Sequence, residues 1–239
     1  MCGRYTLTHE QQEIEDRFLA SLAGERERLE PRYNIAPSQS VVTVRDAVRD
    51  TGGRHLDAMQ WGLVPAWAKD ASRPLINIRA DTLAAKPYFQ NALAKRRCIL
   101  PASGFYEWKE ADNPREGGKT PIYFQPTDRA LLGFAGIWEE GRDAGGTPRL
   151  TCAIVTTEPN ALLGLVHNRM PVIVPPGAEA LWLDSSCTDR AELLAILTPY
   201  TEGHLEAAPV SRLVNSPAND SPQCIEATGE PFHPLGTHL

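Results

Sequence analysis

Cysteine stands second in the chain, between Met1 and the pair Gly3-Arg4. Aminopeptidases that trim initiator methionine favour a small second residue, and trimming turns Cys2 into a terminal 1,2-aminothiol. Such a group condenses with an aldehyde: the amine forms an imine, and the thiolate closes on the imine carbon to give a five-membered thiazolidine. An α-amine titrating near ~8 and a thiol near ~8.5 leave a useful fraction of each nucleophile at neutral pH. Gly3 allows close backbone approach, and Arg4 sets an anion fork beside the nucleophile. The plain alternative is a terminal cysteine without a role.

Three further residues have types suited to such chemistry. Glu107 lies between Tyr106 and Trp108 in an apolar run, so desolvation should raise its pKa into the range of a general acid. A solvent-facing Glu on an alternating strand is the competing reading. His167 opens His167-Asn168-Arg169-Met170-Pro171 at a predicted helix-to-strand junction and titrates near neutrality, which suits a proton shuttle as well as a surface histidine. Asn34, held between Pro31 and Pro37, could orient an amine or a carbonyl through its amide, or simply shape an Asx-turn. Arg4, Asn77 and Arg79 with the Trp61 to Trp67 stretch combine anion forks and aromatic faces, the mixture that single-stranded nucleic acid requires. The same arginines could instead stack on a core edge.

Composition narrows the classes. The 239 residues are 42% hydrophobic and 23% charged, an ordinary globular balance for one domain. A net charge of -6 announces no nucleic-acid binder, so any DNA site must be a local basic cleft on an acidic body. The five cysteines are scattered, without a CxxC pair, which argues against a disulfide framework and a zinc site, and no cofactor is expected. No apolar run reaches the ~20 residues of a membrane span, and the start lacks signal-peptide character. A cytoplasmic monomer without membrane contact is the expectation.

The elements that must position these residues follow from periodicity. Thr8 with Gln11 has capping-box spacing, and Ile14, Phe18 and Leu22 recur every four residues, predicting a helix over 9–29 that Pro31 ends. Residues 31–39 read as a loop, 41–44 as a strand, and Gly52-Gly53 as a hairpin turn. Alternation over 75–82 puts Asn77 and Arg79 on one face of an extended segment. A helix is predicted over 84–94, strands over 98–101, 104–108, 121–124, 131–138, 150–157 and 172–174, and short helices over 159–166, 176–183 and 189–197. A last strand spans 208–211. The polar, proline-rich stretch 216–239 is expected to be a loosely ordered tail after a domain of 2–215.

The ordered set Met1-Cys2-Gly3-Arg4-Tyr5, Tyr33-Asn34-Ile35-Ala36-Pro37, Trp61-Gly62-Leu63-Val64-Pro65 with Trp67, Asn77-Ile78-Arg79-Ala80-Asp81-Thr82, Arg97-Cys98 to Pro101, Gly104-Phe105-Tyr106-Glu107-Trp108, His167-Asn168-Arg169-Met170-Pro171 and Val210-Ser211 to Val214-Asn215 closely resembles the SRAP family, the SOS response-associated peptidases. The resemblance implies a single α+β domain around a strongly curved, mostly antiparallel, barrel-like sheet. It implies capture of abasic sites in single-stranded DNA as a thiazolidine on Cys2, with Asn34 holding the amine or adduct. Glu107 would promote sugar ring opening and His167 would stabilise the sugar and move protons. Arg4, Asn77 and Arg79 would grip phosphates, while Pro37 and Trp67 press on the DNA. Asp81 stands where some relatives carry Glu. The family name also carries (auto)peptidase activity, and a lyase activity is a further expectation.

Two rivals use the same residues. An N-terminal-nucleophile cysteine peptidase would employ Cys2 as nucleophile and His167 as base. A non-catalytic single-strand-binding module would leave Cys2 incidental.

Overall fold

Alternating apolar runs build two sheets whose seam carries the residues of interest. The computed structural model describes residues 2–22, 29–46, 53–65, 74–110, 118–142, 147–201 and 205–232. The strands are β1 (Tyr5–Leu7), β2 (Ala20–Leu22), β3 (Arg32–Ile35), β4 (Ser40–Asp46), β5 (Arg54–Trp61), β6 (Asn77–Arg79), β7 (Arg97–Ala102), β8 (Gly104–Lys109), β9 (Thr120–Pro126), β10 (Leu132–Arg142), β11 (Pro148–Thr157), β12 (Met170–Pro171) and β13 (Leu205–Pro209). The α-helices are α1 (Gln11–Phe18), α2 (Ala80–Ala85), α3 (Pro87–Lys95), α4 (Glu179–Leu183) and α5 (Arg190–Ala195).

One sheet closes on itself. β11, β10, β7, β4 and β5 run antiparallel in that order, and β5 returns to pair β11 in parallel, so five strands form a mixed barrel. β2, β6 and β12 extend it. Closure removes exposed edges, and side chains such as Leu56, Trp61, Ile99, Phe134 and Ile154 are fully buried. Burying each contributes roughly 1.5–3 kcal/mol before the ordering entropy is counted. β7 is buried at all six positions, with α3 and α4 packed against it.

The other sheet, in the order β13, β9, β8, β1, β3, is antiparallel and lies between two apolar clusters. Tyr5, Phe105 and Phe124 belong to the main core, while Tyr106 and Tyr123 join Val210, Val214 and Cys224 in a second cluster. Period-two alternation divides the faces: Tyr5, Leu7 and Phe105 belong to the main core, whereas Tyr106 and Trp108 of β8 bond to the Cys224 carbonyl and to Asn215 of the C-terminal segment. Gly104 permits the tight approach, since a Cβ there would lie 2.5 Å from the Phe124 carbonyl oxygen.

The α+β class and the curved, closed sheet agree with expectation; several boundaries do not. The helix expected over 9–29 ends at Phe18, because Leu19 adopts a left-handed cap (φ 50°) and Ala20–Leu22 pairs with β5 in parallel. Its cap is Glu10, whose N–H donates to Glu13 at 2.8 Å, in place of Thr8 with Gln11. The 31–39 loop contains β3, which pairs with β1 through a bulge. The helix over 84–94 is split by Pro87, which starts α3. The expected strand Val172 to Val174 lies outside β12: Val172 N–H bonds to the Val155 carbonyl of β11, and the three residues meet β10 at Ala135, Phe134 and Gly133. The stretch after Asn215 is not loose over 216–232: Cys224 is buried, a 3-10 turn spans Pro222–Cys224, and Ala227 and Phe232 bridge to Val210 and Ala207. Of the expected hairpin turn at Gly52-Gly53, Gly52 lies outside the described residues.

Candidate active site

Cys2 is held by both sheets. Its carbonyl accepts from Asn77 Nδ2 at 2.9 Å, and Asn77 opens β6 on the barrel. Its Sγ lies 3.8 Å from the carbonyl of Arg4, which also accepts from Tyr106 N–H at 3.0 Å on β8. The residue is fully buried, and burial, followed by the nearby Glu107 carboxyl, pushes the thiol well above its ordinary pKa. At rest it is therefore a protonated thiol that needs a base to react.

Glu107 shares the barrel-facing side of β8 with Phe105 and is 2% exposed. Burial pushes its carboxyl up to about 7, so both protonation forms are populated at neutral pH. The sequence expectation of a desolvated, raised Glu107 is met. His167 follows a 3-10 turn, Leu163–Leu165, and its N–H bonds to the Leu163 carbonyl at 2.8 Å. Its Nδ1 is 4.0 Å from Glu107 Oε1 and lies between the Arg169 N–H at 3.1 Å and the Arg169 carbonyl at 3.3 Å, so this nitrogen has both a donor and an acceptor beside it. Partial burial lowers its pKa, so His167 is mainly neutral at pH 7. A dry thiol, a carboxyl poised near neutrality and a neutral imidazole thus meet at one seam.

Arg4 and Asn34 lie on the other face. Arg4 Nη1 donates to Asn34 Oδ1 at 2.7 Å and to the Val214 carbonyl at 2.6 Å, and Nη2 donates to the Asn215 carbonyl at 3.2 Å. Asn34 is fully buried, with Nδ2 near the carbonyls of Val214 (3.1 Å), Ser216 (3.0 Å) and Asn219 (2.7 Å). Its amide is therefore engaged with Arg4 and the C-terminal segment, and Arg4 spends its fork on carbonyls.

An exposed rim completes the picture. Asn77 and Arg79 flank buried Ile78 as the alternation predicts. Arg79 bonds to Asp81 through both carboxylate oxygens, with Nε at 2.9 and 3.1 Å. Arg169 Nη2 is 3.9 Å from the same carboxylate. The Arg79 hydrogen bond is the main reason that the Asp81 carboxyl is held down to about 2. Pro37 is half-buried in a turn where Ser38 has φ 71° and Gln39 N–H returns to the Ala36 carbonyl. Trp67 lies outside the described residues. Among the described residues no group of three or more His, Cys, Asp or Glu could hold a metal ion.

The family model described as "SOS response associated peptidase (SRAP)" matches residues 1–217. The chain belongs to the SRAP family. It is 42% identical over 229 residues to the abasic site processing protein YoqW of Bacillus subtilis (strain 168), covering 95% of this chain and all of the relative. It is 35% identical to the abasic site processing protein HMCES of Gallus gallus, over 83% of this chain and 66% of that protein. The SRAP fold recurs in a crystal structure of a Bacteroides thetaiotaomicron protein, with a TM-score of 0.79 at 23% identity over 95% of this chain and 99% of that one.

The motifs do not include Asp220, which ties the C-terminal segment to β3. Asp220 accepts from Tyr33 N–H (2.5 Å) and Asn34 N–H (3.0 Å) and pairs with Arg32, while Trp108 Nε1 donates to Asn215 Oδ1 at 2.8 Å. The only sequence signal of Asp220 is polarity, which loops share.

Proposed function

We propose that this chain captures abasic sites in single-stranded DNA by closing the amine and thiol of trimmed Cys2 on the sugar aldehyde. The observation that carries this reading is Glu107, raised to about 7 beside the Cys2 thiol and 4.0 Å from His167. Family membership and the names of the relatives support the lesion as target.

The steps follow from the groups present. An abasic sugar is mostly a cyclic hemiacetal. Protonated Glu107 gives its proton to the ring oxygen as the C1′–O4′ bond breaks, and the anomeric hydroxyl passes its own proton to His167 or to water, leaving the aldehyde. The Cys2 amine adds to C1′, water leaves, and an imine remains. The thiol then adds to C1′ while its proton passes to the Glu107 carboxylate or to His167. The net change is aldehyde plus aminothiol to thiazolidine plus one water. Arg79, Asn77, Pro37 and Trp67 would hold the strand, and phosphate contacts make that grip salt-dependent. With Met1 retained the amine is an amide and the chemistry stops. Arg4 and Asn34 act in this scheme as the floor under Cys2.

The test is incubation of trimmed protein with an abasic oligonucleotide, followed by denaturing electrophoresis. A shifted band that Cys2→Ala abolishes is expected; no band, or a band that persists in Cys2→Ala, defeats the reading. Cleavage of peptides without DNA would favour the peptidase alternative instead.

A further inference from the structure

We propose that Asp220 is a positioning residue for the Cys2 site, although it lies beyond the 1–217 span that the family model matches. The inference rests on the crosslinking reading above and adds the device that holds its geometry.

Asp220 ties the C-terminal segment to three consecutive residues of β3 through one carboxylate. Oδ1 accepts the main-chain N–H groups of Tyr33 and Asn34, at 2.5 and 3.0 Å, and Oδ2 pairs with Arg32 Nε. From Asn34 the path runs to Arg4: the Asn34 side chain holds the Arg4 guanidinium, and the Arg4 carbonyl faces the Cys2 Sγ. From Arg32 a second path runs to the Pro37 turn, for Arg32 Nη2 donates to Gln39 Oε1 at 2.8 Å. That same oxygen caps Ala36 N–H at 3.0 Å, and Ser38 N–H bonds to the Trp61 carbonyl at 2.7 Å. The carbonyls of Val214, Ser216 and Asn219, which close on Asn34, belong to the segment that Asp220 terminates. Pinning that segment to β3 fixes Arg4 from the face opposite Glu107, so Cys2 stays against the acid. A charged acceptor taking two main-chain N–H groups and a guanidinium makes a strong, directional anchor.

Trimmed wild type, Asp220→Ala and Asp220→Asn are compared in three measurements: adduct formation on an abasic single-stranded oligonucleotide, binding of the same strand without a lesion, and iodoacetamide labelling mapped to Cys2, Cys98 and Cys152. Asp220→Ala should form adduct about tenfold more slowly, with intact-strand affinity within about threefold, since misplacement of reacting groups acts on rate more than on grip. Cys2 should label faster as its cover loosens, while Cys98 and Cys152, fully buried in the core, stay protected. Asp220→Asn keeps an acceptor for the two N–H groups and should fall between; it carries the same comparison if the alanine variant does not fold. An unchanged adduct rate, or labelling of all three cysteines together, overturns the proposal and leaves Asp220 a general structural residue. If wild type itself forms no adduct, the crosslinking reading fails instead. Selective labelling of Cys2 in the variants then still supports the positioning role, and unchanged labelling overturns it.

Discussion

Two carboxylates of this chain sit on the same candidate site and are pushed in opposite directions. Glu107 is buried on β8 and lifted to about 7, whereas Asp81 is exposed at the start of α2 and held down to about 2 by Arg79. Burial penalises the charged form of the first; a hydrogen-bonded guanidinium favours the charged form of the second. The difference separates a chemical centre, where a proton must move near neutrality, from a rim where fixed charge meets a charged ligand. The same contrast divides the arginines: Arg4 is bound to carbonyls beneath the site, and Arg79 stands at the surface.

Removing the acid should break the contrast most strongly. Glu107→Gln should slow adduct formation by about 100-fold, the scale of a lost general acid, with a much smaller change in binding of intact single strands. Equal losses in both would reduce Glu107 to a binding residue. The folded-state pKa of Glu107 is raised, so the folded protein binds the extra proton between the ordinary carboxylate range near ~4.3 and about 7. Wild-type stability should therefore fall as pH rises through that window, and Glu107→Gln should lack this slope in urea titrations at several pH values.

Asn34→Ala tests the floor. It leaves the Arg4 guanidinium and three carbonyls short of a buried partner, and should cost roughly 1–3 kcal/mol of stability by urea denaturation. A neutral result would mean that the Arg4 cluster is held without it. The smallest effect belongs to the rim. Asp81→Asn should leave the urea midpoint unchanged, because exposed pairs contribute little. It should strengthen intact-strand binding about threefold at low salt, with the gain fading as ionic strength rises. Weaker binding would show that Asp81 orients Arg79 instead of competing for it.

The contrast was partly legible in residue order. Alternation around Ile78 foretold that Asn77 and Arg79 share a face, and Tyr106 and Trp108 foretold the dry setting of Glu107. The left-handed turn at Leu19 was not legible, since the 14/18/22 spacing continues past a helix that the barrel's pairing with Ala20–Leu22 cuts short. Nor was the clasp on Arg4 and Asn34, because it is made of main-chain carbonyls from 214–219, which any residue type supplies.

The most direct measurement is the intact mass of the product formed when trimmed protein meets an abasic single-stranded oligonucleotide. Ring closure on Cys2 predicts one species at the summed masses less one water, stable to heat and absent with Cys2→Ala. Free protein and free oligonucleotide after prolonged incubation, or a product that appears only after borohydride reduction, would contradict it.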